Sequence, residues 1–180
     1  MKNKNTIILG SGLVILGCLA IPYLSDKISA NSNVKENNLV LTSSLTGMDD
    51  WPETSKMAVK EITDKYGKPD ATNAEEQVWM NKGVWKKICI NKKESKHSFP
   101  IEHTDMMSST IMYKVPVDKM DELGKFDGSV TFDRTQGTMS ARCDQEANNF
   151  LALNLAHDII TDKKSVEEAR TAYALSLIHI

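Results

Sequence analysis

Two kinds of hydrophobic pattern divide the chain. Residues 6–24 form one uncharged, mostly apolar run behind Lys2 and Lys4. Residues 48–174 instead alternate short apolar stripes with turn signals, as a packed domain does. In that part, Asp49-Asp50-Trp51-Pro52 offers an N-cap and a first-turn proline. Met57, Val59, Ile62 and Tyr66 follow near helical spacing until Gly67 and Pro69 interrupt, which predicts a helix over 52–66. Residues 77–80 and 84–90 carry β-branched and aromatic residues on either side of Asn81-Lys82-Gly83, a hairpin pattern. A strand over 109–115 and a short helix over 117–126 come next. Strands over 129–134 and 138–142 then pair across Thr135-Gln136-Gly137. The longest apolar helix is predicted over 144–161, with Phe150, Leu151, Leu155 and Ile159. Ser165 and Glu168 form a capping box that opens a last helix through Tyr173.

The order helix–strand–strand appears twice, around 52–92 and 117–142. This predicts an α+β fold: an antiparallel sheet with helices on one face, built from two such units, followed by a long C-terminal helix and a short one. Residues 31–47, NSNVKENNLVLTSSLTG, are rich in Asn, Ser and Thr without sustained periodicity and read as a flexible tether. The domain organisation is therefore an export signal or membrane anchor (1–30), the tether (31–47) and one domain (48–174). The last six residues, LSLIHI, form an apolar end where a cap is expected and resemble a sequencing-adapter translation, so 175–180 are read as a non-native tail.

Charge narrows the function classes. With a formal net charge of -2 and basic residues interspersed with acids, nothing points to a nucleic-acid partner. The N-terminal run has the layout of an export signal and is also just long enough to span a bilayer as a single anchor. Three fates follow. Ile15-Leu16-Gly17-Cys18 resembles the bacterial lipobox, with Cys18 the candidate lipidation site, although Leu16 and Leu19 fit it less well. Ile28-Ser29-Ala30 supplies small residues for ordinary signal cleavage. Alternatively the run is retained. Each places the domain across a membrane, in the cell envelope, the periplasm or outside.

At WPETSKMAVKEI (51–62), YGKPD (66–70), GVWKK (83–87), FPIEHTD (99–105), DGSV (127–130) and SARCDQEANNFLALNLAHDI (140–159), the chain resembles a family of uncharacterised bacterial exported proteins. Over residues 66–79 it is also similar to small outer-membrane lipoproteins of the SmpA/OmlA group, in which a helix ending in Gly-x-Pro precedes a Trp-bearing strand. The first resemblance implies export without an activity, and the second implies an envelope interaction module.

Candidate chemistry is sparse. His97, His103 and Asp105 come closest to a metal set: residues 103 and 105 leave an extended chain on one face, and His97 can return across the Phe99-Pro100 bend. Three N/O ligands and an open position suit catalytic zinc, but no HExxH frame surrounds them. Solvated loop histidines are the preferred reading, and no cofactor is expected. Cys143, beside Arg142 and just before the helix expected at Asp144, sits where a helix N-terminus and a cation would activate a thiol. Along a continuous helix His157 lies roughly 20 Å from it, so a base would come from elsewhere, such as His103. Packing at the strand–helix junction, or a disulfide between Cys89 and Cys143, is the plainer expectation. Asn148, Asn149, Asn154, His157 and Asp158 form a polar stripe suited to capping loops or lining a cleft. Trp51, Trp79 and Trp85 read as core anchors, and the methionines between 106 and 139 read equally as soft core or as an adaptable binding surface.

The function this supports is an exported envelope protein, membrane-tethered or secreted, whose domain acts as a binding module for an envelope partner. The competing class is an exported enzyme using the His/Asp metal set or the Cys143 thiol.

Overall fold

The computed structural model describes residues 47–177. The apolar run, Cys18, the tether up to residue 46 and the last three residues lie outside them. Among the described residues no helix is long and apolar enough to cross a membrane.

Helix α1 (Glu53–Tyr66) leads into β1 (Ala71–Thr72), β2 (Glu76–Lys82), β3 (Trp85–His97) and β4 (His103–Met112). A 3-10 turn (Val117–Lys119) and α2 (Met120–Phe126) precede the hairpin β5 (Val130–Asp133) and β6 (Thr138–Cys143). Helices α3 (Glu146–Ile160) and α4 (Val166–Leu177) complete the described chain. The six strands form one antiparallel sheet in the order β1-β2-β3-β4-β6-β5. The α+β architecture is as expected.

Alternation along the strands explains why helices cover one face. A row running Trp79, Ile88, Ser109, Ala141, Val130 across five strands is buried throughout. On the opposite face, Lys87 and Thr131 of the adjacent row are exposed and Ser140 is half-buried. Side chains tie the helices to the covered face. Trp79 Nε1 donates to Gly67 O at 2.8 Å, at the end of α1. Asn149 Nδ2 donates to Met107 O and Ser109 Oγ, both at 3.0 Å, pinning α3 across β4. Helix α4 packs behind, against α2 and α3.

Several local signals act as expected. Gly67, at φ +81, ends α1 in a conformation that costs other residues a Cβ clash. The capping box of α4 is reciprocal: Glu168 N–H donates to Ser165 Oγ at 3.1 Å and Ser165 N–H to Glu168 Oε2 at 2.8 Å. Trp51, Trp79 and Trp85 are all in the core, as are Met106, Met107 and Met139.

Other expectations are corrected. Pro52 itself stands at the N-cap of α1 without a side-chain cap bond, and Asp50 pairs with Lys92 instead. Met57 points outward, so Ala58, Val59 and Ile62 carry the buried stripe. Strand β4 begins at His103 rather than at 109, and β3 runs on to His97, so the two histidines lie in strands and not in a loop.

Candidate functional site

The register pairs His97 directly with His103 at the far end of the β3–β4 hairpin. Antiparallel partners share a face. On β4, His103 and Asp105 share parity with Met107, so all three point to the helix-covered side. On β3, His97 is seven positions beyond Ile90 and in a regular strand would face the opposite way. A bulge corrects this. Five steps from Ile90 to Ser95 oppose only two from Met107 to Asp105, an odd excess that turns the rest of β3 over. The bulge brings His97 to the buried side.

There the groups converge. Asp105 is only 1% exposed. Its Oδ1 lies 3.0 Å from His103 Nε2 and its Oδ2 lies 3.4 Å from His97 Nδ1. Ser129 Oγ–H donates to Oδ2 at 2.5 Å, and Arg142 Nε approaches the same oxygen at 3.7 Å. The ligand atoms of His97, His103 and Asp105 all lie within 4.8 Å of one another.

The outward nitrogens of both rings are occupied. His103 Nδ1 is 2.8 Å from Ile101 O, and a carbonyl only accepts, so Nδ1 carries the proton. Nε2 faces Asp105 Oδ1 at 3.0 Å without a hydrogen bond between them, and Oδ1 has no other donor. His97 has its Nε2 3.5 Å from Asp127 Oδ1, and its Nδ1 faces Asp105 Oδ2 and Ser129 Oγ, each at 3.4 Å. Outer nitrogens held by a carbonyl or carboxylate, and inner nitrogens aimed at a third ligand, are the arrangement by which proteins orient metal-binding histidines.

Asp127 is itself buried, and burial lifts its carboxyl above the usual range against the lowering effect of the Ser129 N–H and His97. Tyr173 from α4 roofs the cluster, its ring 5.7 Å from Phe99, over which the Arg170 guanidinium sits at 3.7 Å.

Cys143 belongs to the same cluster, with its Sγ 3.4 Å from His103 Nε2. The proximity to His103 considered from sequence is therefore present, but activation of the thiol is not. Cys143 ends β6, while α3 starts at Glu146 with Gln145 as its N-cap, so the thiol is not at the helix terminus. Burial, reinforced by Asp144, pushes it up to about 12. Nor is this a nucleophile–base–orienter triad: Asp105 and Cys143 approach the same ring nitrogen, whereas a triad places them on opposite ones.

The disulfide expectation also fails. Both cysteines are free. Cys89 pairs with Ser108, which pairs with Arg142, so Cys143 lies two strands away and on the other face of the sheet. Burial and Glu76 push Cys89 up to about 12 as well. Neither thiol is therefore expected to react with iodoacetamide in the folded protein near neutral pH, while both react after denaturation. Mass-spectrometric mapping of alkylated peptides reads the difference.

The polar stripe of α3 is structural. Asn148 bonds Asp144 at 2.9 Å, Asn154 bonds its own helix at Phe150 O, His157 meets Tyr113 at 2.9 Å and Asp158 holds Lys164 at 2.6 Å. A groove of about 420 Å³ beside α1, lined by Met57, Lys60, Asp64 and Met106 among others, contains none of the histidine cluster.

Asp127, Ser129 and Tyr173 are the site residues that sequence reasoning missed. Asp127-Gly128-Ser129 does carry a turn signal, but nothing in its spacing ties it to residues 97–105. No protein-family model, curated protein or solved structure matches the chain.

Proposed function

We propose that this is an exported protein whose domain binds a divalent transition metal of the zinc class through His97, His103 and Asp105. One observation carries the reading: both imidazoles are oriented from outside, and their inner nitrogens face a buried carboxylate whose Oδ1 no donor satisfies. A buried unpaired acceptor is costly, and a cation between these atoms would remove that cost. Two imidazoles with one carboxylate suit zinc better than calcium or magnesium, which prefer all-oxygen cages. Export rests on the N-terminal apolar run. A role as an envelope interaction module remains compatible with a metal that organises this end of the domain.

The test is metal analysis of the full chain, purified in mild detergent, reloaded with zinc and dialysed. One zinc per chain is expected, falling to background in His103→Ala. Absence of zinc from the unmodified protein, with calorimetry showing no binding heat, would remove the reading.

A further inference from the structure

Building on that metal reading, we infer that Cys143 is the fourth ligand and that the coordination sphere is closed, with two imidazoles, one carboxylate and one thiolate. The geometry favours it. Tetrahedral zinc has bonds of about 2.0–2.1 Å to nitrogen and oxygen and about 2.3 Å to sulfur, which separates ligand atoms by roughly 3.3–3.7 Å. Around His103 Nε2 the structure holds Cys143 Sγ at 3.4 Å and Asp105 Oδ1 at 3.0 Å. Asp105 Oδ2 and His97 Nδ1 are 3.4 Å apart. These are three of the six edges of such a tetrahedron, taken to both oxygens of Asp105. Cys143 Sγ stands beside His103 but outside the group of ligand atoms lying within 4.8 Å of one another, so closing the sphere requires the sulfur to turn inward toward His97 and Asp105.

The backbone brings the sulfur there for a simple reason. Cys143 pairs with Met107, two residues beyond Asp105 on β4, and shares the covered face with Asp105 and His103. Three adjacent strands thus each contribute: β3 through His97, β4 through His103 and Asp105, and β6 through Cys143. Rigid strands hold ligands more accurately than loops do.

Two groups border the sulfur: Tyr173 O–H lies 3.9 Å from Sγ and can donate to it, while Asp144 Oδ1, at 3.3 Å, accepts from the thiol and would lose that bond on coordination. Cys143 is 2% exposed, so solvent hardly reaches that corner. On coordination the thiol releases its proton to solvent and the sulfur lone pair forms the metal bond; no oxidant or reductant takes part. With four protein ligands and Tyr173 and Phe99 overhead, no position is left for a substrate or an activated water. The centre is then structural or metal-holding, and the hydrolytic reading of a three-ligand site does not apply.

Cobalt(II) titration of the full chain tests this. Tetrahedral visible bands are expected, together with a near-ultraviolet band from thiolate-to-cobalt charge transfer. Cys143→Ser should lose that band and weaken metal binding by at least the roughly 10–100-fold that loss of an outer-shell partner costs, whereas Cys89→Ala should keep both. Cobalt binding by the unmodified chain without the charge-transfer band would overturn the cysteine assignment and leave the three-ligand site standing. Survival of the band in Cys143→Ser would also overturn it, by assigning the sulfur to another cysteine. No cobalt uptake at all would remove both readings.

Discussion

Asp105→Asn is expected to stabilise the metal-free protein and to abolish its stabilisation by zinc. The two effects have one origin. Asp105 Oδ2 accepts from Ser129 Oγ–H at 2.5 Å, while Oδ1 faces His103 Nε2 at 3.0 Å without a donor. An asparagine can keep its oxygen toward Ser129 and turn its NH2 toward His103 Nε2, so that a donor replaces the unsatisfied acceptor. Of the permanently charged neighbours, the pairing given up is only the weak approach of half-exposed Arg142 at 3.7 Å. Relieving one buried unsatisfied acceptor is worth about 1–3 kcal/mol, or roughly 3–10 °C in melting temperature for a domain of this size. The unmodified protein should gain about 2.7 kcal/mol from zinc at a hundred times its Kd, and the variant should gain nothing. Differential scanning calorimetry with chelator and with zinc measures both. A variant that melts lower without metal would show that Asp105 is not frustrated, and one that still responds to zinc would show that it is not a ligand.

That frustration also explains where the sequence is hard to read. Strand β4 opens His103-Thr104-Asp105, with polar residues on the buried side, so the alternation that announces a half-buried strand is inverted there. The signal returns only near Ser109, where the pattern predicts the strand to begin. The chain breaks local rules at its candidate site, as functional sites tend to do. The bulge between Ile90 and Ser95 hides the site further. Counting by twos from Ile90 puts His97 on the open face, and no glycine marks the change of parity. By contrast, the α1 stop at Gly67, the 77–90 hairpin and the Ser165–Glu168 cap rest on residues whose chemistry acts within a few positions, and these are legible. So is the shared face of His103 and Asp105, since a spacing of two is enough. Tyr173 and Asp127 reach the site only through packing of α4 and α2, which no local pattern encodes.

A second buried carboxylate, three residues past Cys143, shows how differently a satisfied charge behaves. Glu146, in the first turn of α3, is 6% exposed. Its Oε1 accepts from Trp85 Nε1–H at 2.5 Å and Tyr66 O–H at 2.6 Å, and its Oε2 accepts from Lys65 Nζ at 2.5 Å. One side chain thereby joins the end of α1, the start of β3 and the start of α3. Burial alone would raise its carboxyl, but the bonds from Lys65, Tyr66 and Trp85 outweigh that and hold it below the usual glutamate value. The sign follows. A carboxyl with a depressed folded value contributes stability that is whole above the ordinary value of 4.5 and is lost as pH falls through the folded value. Glu146→Ala should cost about 3–5 kcal/mol, because it strands a buried indole N–H and a phenol and leaves Lys65 unpaired. That corresponds to roughly 10–20 °C in melting temperature. Glu146→Gln keeps an oxygen for Trp85 and Tyr66 and loses only the ion pair, so its cost at neutral pH should be clearly smaller. Its stability should also fall less steeply below pH 4.5 than that of the unmodified protein. Urea unfolding of the three proteins across the acid range reads both differences. Equal acid slopes for the unmodified protein and Glu146→Gln would show that the ion pair with Lys65 contributes nothing to holding α3 against α1.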